Sequence, residues 1–271
     1  MRRELQKLPA FMLREWTIRT SYRLSFFSAI AQIVFLMASF FFIGRLIDPQ
    51  TVAVLQPYGG AYFPFVLIGL AYVRYLDTSL SGFAEILRYE QAQGTLEAIL
   101  MTPTRLLTIG IGSLLWDLLW TTGEVCLCLG IGAVFFGMDL GHMNVLASAV
   151  VLMLSTMAVT SLGMMSAAGV LLFKEADPVA WFAGGAMKLL GGVYFPVAIL
   201  PDWLERVAQW LPLTHILEGL RQAVLLGRSL ADLKWICAAL GLFGVVMWPL
   251  ALWVLSLSIR RLKTTGALSF R

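Results

Sequence analysis

Apolar positions along the chain gather into six long runs, at about Leu24–Ile43, Ala61–Ser81, Leu106–Phe136, Val145–Phe173, Val179–Leu200 and Leu233–Ile259. A helix needs about 20 apolar residues to cross a hydrocarbon core of about 30 Å, so each run predicts a spanning helix. The polar stretches between the runs differ in kind. After the first run, "GRLIDPQTVAVLQPYGG" carries two prolines and a Gly-Gly pair and reads as a loop. "GMDLGHMN", between the third and fourth runs, is a short turn.

Three further stretches are amphipathic and too short or too polar to span. Ahead of the first run, Leu5, Leu8, Met12 and Trp16 recur at helical spacing, with Arg14 and Arg19 on other faces. That pattern predicts a helix lying in the membrane interface over residues 1–23. Between the fifth and sixth runs, residues 201–227 predict two short helices. Pro201 opens the first, with Trp203, Leu204, Val207, Trp210 and Leu211 apolar against Asp202, Glu205, Arg206 and Gln209. Pro212 breaks it, Thr214 is a candidate N-cap for the second, and Gly227 ends that. In the second, Ile216, Leu217, Leu220 and Val224 share a side, and Glu218 and Arg221 stand one turn apart. The third stretch, "RYEQAQGTLEAILMTPTR" from Arg88 to Arg105, places Leu96, Ile99 and Leu100 as an apolar strip among Glu90, Gln91, Gln93 and Glu97. Thr102 caps, and Pro103 starts the third span. A connector between antiparallel spans needs only two to eight residues or so, so a helix over residues 88–103 implies a binding partner.

Composition agrees with the pattern. Apolar residues make up 59% of the chain and charged ones 13%, with mean hydropathy +0.81; soluble domains have about 45–50% and about 25%. The expectation is an all-α integral membrane protein, a single transmembrane domain over residues 1–271 with no room for a separate soluble domain. The first 23 residues are too charged for a secretory signal, so the N-terminus is expected to be retained. With that end in the cytoplasm, Arg2, Arg3, Lys7, Arg14, Arg19, Arg23, Arg88, Arg105, Lys174, Arg260, Arg261, Lys263 and Arg271 lie inside. Arg45, Arg206, Arg221, Arg228 and Lys234 lie outside. The bias predicts six spans with both termini cytoplasmic, and it makes the net charge of +4 a topology signal rather than a nucleic-acid one. Cys126, Cys128 and Cys237, with His142 and His215, form neither a disulfide framework nor a metal spacing.

Four ionisable residues fall inside the runs: Arg74 and Asp77 in the second, Asp117 and Glu124 in the third. Each costs roughly 2.5–3.5 kcal/mol at the bilayer centre and must pair or face water. Arg74 and Asp77 lie one turn apart, and Asp117 and Glu124 two turns apart on one face, so a cluster between the two spans is expected. It reads either as a polar wall of a substrate path or as ion pairs holding two helices. Lys188 lies in the fifth run with no evident partner. Intrinsic catalysis finds no nucleophile–base pair, aspartate cluster or metal-ligand pair.

"EQAQGTLEAILMTPTR" resembles the coupling segment of permeases in the type-2 export family of ATP-binding-cassette (ABC) transporters. "GGVYFPVAILPDWLERVAQWLPLTHILEGLR" is similar to that family's closing pattern of a Phe-Pro, a Leu-Pro and a Glu-x-x-Arg helix, here with Pro196, Pro201, Pro212, His215, Glu218 and Arg221. The resemblance covers nearly the whole chain. It implies a dimer, homodimeric or heterodimeric, in a prokaryotic cell membrane, with Glu90, Gly94, Thr95, Leu96, Glu97, Leu100, Thr102 and Pro103 forming the segment that docks on two copies of a separate ABC ATPase. ATP and Mg would then belong to that partner, because no G-x-x-x-x-G-K-[ST] loop occurs in this chain. Cargo would be a drug, lipid, glycolipid or polysaccharide. The competing readings are a secondary carrier that uses no ATP, for which no inverted repeat is evident, and a membrane scaffold.

Overall fold

The computed structural model describes residues 23–47, 53–92, 106–173 and 178–265. The interfacial helix expected over residues 1–23 therefore lies outside the described residues, apart from Arg23. Among the described residues every regular element is helical. In chain order they are α1 (Arg23–Leu46), a 3-10 turn (Ala53–Tyr58), α2 (Tyr62–Ala92), α3 (Leu106–Phe136), α4 (Val145–Phe173) and α5 (Pro178–Leu190). A second 3-10 turn (Val197–Ile199) leads to α6 (Asp202–Trp210), α7 (Pro212–Leu225) and α8 (Lys234–Thr265).

Among the described residues three stretches are long and apolar enough to cross a membrane: Gly110–Phe136 in α3, Val145–Val170 in α4 and Lys234–Ser258 in α8. α1 carries a shorter apolar stretch, Ala31–Leu46. α2 is as long as α3, but Arg74, Asp77, Glu85, Arg88 and Glu90 lower its hydropathy. It runs on beyond the predicted end at Ser81, through Arg88 and Glu90 to Ala92. The start of the expected coupling helix is thus the last turn of α2.

The fifth run departs most from expectation. Val179–Leu200 reads as one spanning helix, but the helix stops at Leu190, and at about 1.5 Å per residue its 13 residues reach only about 20 Å. Gly192 then adopts φ +81°, a left-handed conformation that favours glycine. Pro196, which is buried, cannot donate to a helix. The chain turns back and climbs through the second 3-10 turn into α6.

α2 and α4 form the centre of the bundle. They approach so closely that a Cβ added at Gly163 would run into the carbonyl oxygen of Ser79. Small residues at such a crossing let backbones meet where dispersion, rather than water, drives packing. One buried cluster joins α2 and α4 to α7 through Leu76, Leu80, Val151, Val159, Ile216, Leu217 and Ala223. A second lies toward the other end, where Phe83 and Ala84 of α2 meet Met164, Ala167 and Ala168 of α4 and Ala251 and Leu255 of α8.

The connections around residues 53–61, 137–144 and 191–233 meet at one end of the bundle. The Asn144 N–H donates to the Ala223 carbonyl at 3.0 Å. Gly227, at φ +63°, passes close to the His142 carbonyl.

Candidate functional site

Four charged residues of α2, α3 and α5 form two cross-helix ion pairs, Arg74 with Glu124 and Asp77 with Lys188. Arg74 of α2 reaches α3, where its guanidinium donates to Glu124 Oε2 at 3.0 and 3.3 Å. Trp120, one turn earlier on α3, donates its indole N–H to Glu124 Oε1 at 2.8 Å, so both carboxylate oxygens are held. Asp77 does not pair with Arg74. Its Oδ1 lies 2.6 Å from Lys188 Nζ on α5. Arg74 meets Glu124, while Asp117, two turns earlier on α3, is partly buried. Residues three apart on one helix share a face and could pair, but Glu124 on α3 and Lys188 on α5 stand within reach on the neighbouring helices, and each takes one of the two charges. All four side chains keep some exposure, and each charge is matched by its partner across the helix contact. Thr78 and Thr121 hydroxyls meet at 3.1 Å and Tyr75 donates to Thr122 at 2.7 Å, extending the polar seam between α2 and α3.

The second constellation surrounds the broken end of α5. Arg221 of α7 is 3% exposed. It donates to three backbone carbonyls: Phe65 at 3.2 Å, Gly192 at 2.8 Å and Val193 at 3.2 Å. Its guanidinium also lies 3.5 Å from the Phe65 ring centroid. Irregular backbone among spanning helices survives only where protein satisfies its polar groups, and Arg221 does so for residues 192–193. α2 makes room with Gly69, where any Cβ would meet the Val193 carbonyl. Burial pulls the Arg221 guanidinium down to about 9, which leaves it charged at neutral pH.

Above Arg221 lies a cleft of about 590 Å³, walled by Tyr58, Pro196, Glu205, Gln209, His215 and Glu218 among others. Glu218 accepts hydrogen bonds from the Tyr58 hydroxyl and the Gln222 amide. Burial and the Glu218 carboxylate raise the Tyr58 phenol well above its ordinary value. His215 Nε2 lies 2.8 Å from the Gln209 carbonyl.

α6 follows Pro201 as expected, and Trp203, Val207 and Trp210 are exposed. Thr214, expected as an N-cap, is already inside α7, because the helix begins at Pro212. Its hydroxyl donates back to the Ala208 carbonyl at 2.6 Å and ties α6 to α7.

Of the expected docking segment, Glu90 lies on the last turn of α2. Gly94, Thr95, Leu96, Glu97, Leu100, Thr102 and Pro103 lie outside the described residues. Sequence reasoning missed Tyr58 and Trp120, which carry no periodic signal. It left Lys188 alone, although a lone cation in an apolar run is itself a signal to look for a carboxylate on a neighbouring span.

No curated protein matches the chain. A family model does: the ABC-2 type transporter domain matches residues 9–225, from ahead of α1 to the last residue of α7. That stretch takes in both ion pairs, the coupling motif and the Arg221-held break. The chain therefore belongs to the ABC-2 type transporter family, whose membrane domain is the permease component and has no nucleotide-binding domain of its own.

Proposed function

We propose that this chain is the membrane half of an ATP-driven exporter, working as a homodimer or heterodimer with two ABC ATPase subunits in a prokaryotic cell membrane, both termini in the cytoplasm. The observation that carries the reading is the family match over residues 9–225, which includes the amphipathic stretch after α2. The missing phosphate-binding loop makes a separate ATPase the source of ATP hydrolysis, with ATP and Mg held there.

α2 supplies the transmission. Its 31 residues make one uninterrupted rod of about 46 Å. At one end Phe65 and Gly69 touch Arg221 and Val193. At the other, Glu90 leads into the Gly94–Glu97 segment. Closure of the ATPases pushes that segment, and the rod carries the displacement to the broken end of α5. Arg74, Asp77, Glu124 and Lys188 tie α3 and α5 to the rod, so that they move with it. Opening of the cleft beneath α6 would then release cargo.

The test is docking. Fully burying a leucine contributes about 1.5–3 kcal/mol. Replacing Leu96 and Leu100 together with Asp should therefore weaken ATPase association by well over about a hundredfold, at about 1.4 kcal/mol per decade. A detergent pull-down of the variant should recover permease without ATPase. Recovery of ATPase with the variant, or loss of the permease itself from the membrane, would assign the strip to the fold or to lipid and remove the exporter reading's local support.

A further inference from the structure

We propose that the cleft between α3 and α4 is a binding groove for one acyl chain of a bilayer lipid. α3 and α4 barely touch each other, and both lean on α2. Between them lies a cavity of about 290 Å³, floored by Ile68, Ala71 and Tyr72 of α2 and closed at one end by Leu220 and Val224 of α7.

The wall is apolar because its hydroxyls are already used. Tyr75 donates to Thr122 at 2.7 Å, Thr122 to the Leu118 carbonyl at 2.7 Å, and Ser148 to the Asn144 carbonyl at 2.8 Å. No charged side chain lines it. A sugar, phosphate or peptide would lose its hydration there and regain nothing. Apolar cavities of about 150 Å³ stay dry and take up benzene, and this one has roughly twice that room.

The mouth opens on the side of the bundle, where Cys126 of α3 and Val145 and Ala149 of α4 are exposed at the rim. Around it, Leu119, Leu127, Leu146 and Met153 are exposed as well. Both walls belong to helices long and apolar enough to cross a membrane, so the medium at the mouth is hydrocarbon. A helix from a second copy, about 10–12 Å across, could cover the mouth but not enter. A lipid chain is thin, apolar and locally abundant, and it fits. The site does not depend on what the protein exports, and its test does not involve an ATPase.

Cys126 supplies the reporter. In a Cys237→Ala background it is the accessible thiol, since Cys128 is buried. The protein is purified in a sterol-based detergent, titrated with dioleoyl phosphatidylcholine, and followed by N-ethylmaleimide alkylation and native mass spectrometry. Lipid at about ten times its dissociation constant should slow alkylation about tenfold, by mass action. One lipid per chain should be retained, and Ala149→Trp, which blocks the mouth, should lose it. Alkylation indifferent to lipid would overturn the proposal, as would equal retention by Ala149→Trp. Protection that follows protein concentration instead of lipid would assign the mouth to a second copy and overturn it too. The alkylation measurement needs only the small Cys237→Ala change, so it decides even where Ala149→Trp fails to fold.

Discussion

Arg221 shows how one side chain permits a break within an apolar run. A planar guanidinium presents several donors in a fixed fork, and here they serve three carbonyls from two separate elements. Arg221→Leu leaves all three without this donor in a buried place, at about 1–3 kcal/mol for each carbonyl left unsatisfied. The expected outcome is several kcal/mol of lost stability, read as a lower melting temperature and less monodisperse protein on size exclusion. Arg221→Lys should recover only part, because a compact ammonium cannot span three acceptors. Full recovery by lysine would mean that charge, and not the fork, is what the site uses. The sequence placed Arg221 on the second short helix, as observed. It could not show that the side chain turns inward, since the carbonyls it meets lie 28, 29 and 156 residues away.

At the scale of elements, α2 runs on past Ser81 to Ala92 and α5 stops at Leu190, short of Leu200. Apart from Lys188, composition over Val179–Leu200 is largely apolar, so periodicity alone sees a span. The Gly191-Gly192 pair and Pro196 are legible as punctuation, but such residues are tolerated within membrane helices when neighbours repair the backbone. Whether they break the helix depends on a neighbour being placed to satisfy what is freed, and Arg221 is.

α5 is held to α2 by Asp77 and Lys188, whose side chains are 45% and 28% exposed. Asp77→Asn should cost about 1–3 kcal/mol, less than the 3–5 of a fully buried pair, because water reaches both groups. Adding Lys188→Met should restore most of the loss, and a double-mutant cycle on thermal stability would give a coupling of about 0.5–3 kcal/mol. Additive losses would show that the two charges act independently. Arg74 and Glu124 make the analogous tie between α2 and α3.

For the whole molecule, residues 53–61, 137–144 and 191–233 meet at one end. On the topology we propose from the lysine and arginine bias, that end faces outside. Cysteines introduced at Gln50, Gly141 and Ser229, in a background lacking Cys126 and Cys237, should all react with an impermeant thiol reagent in sealed cells, and one at Gln93 should not. Labelling of Gln93 alone would reverse the orientation. A mixture among the first three would contradict the shared end.

The sequence by itself determined the membrane character, most helix boundaries, the two amphipathic helices after the break and the family motifs. Each of these depends on local composition, helical period and proline or glycine at particular positions. Only the tertiary structure decided which charges pair, where α5 ends, and that α3 and α4 part to leave a cleft. Those outcomes rest on contacts between residues far apart in the chain, whose distances a one-dimensional pattern does not contain.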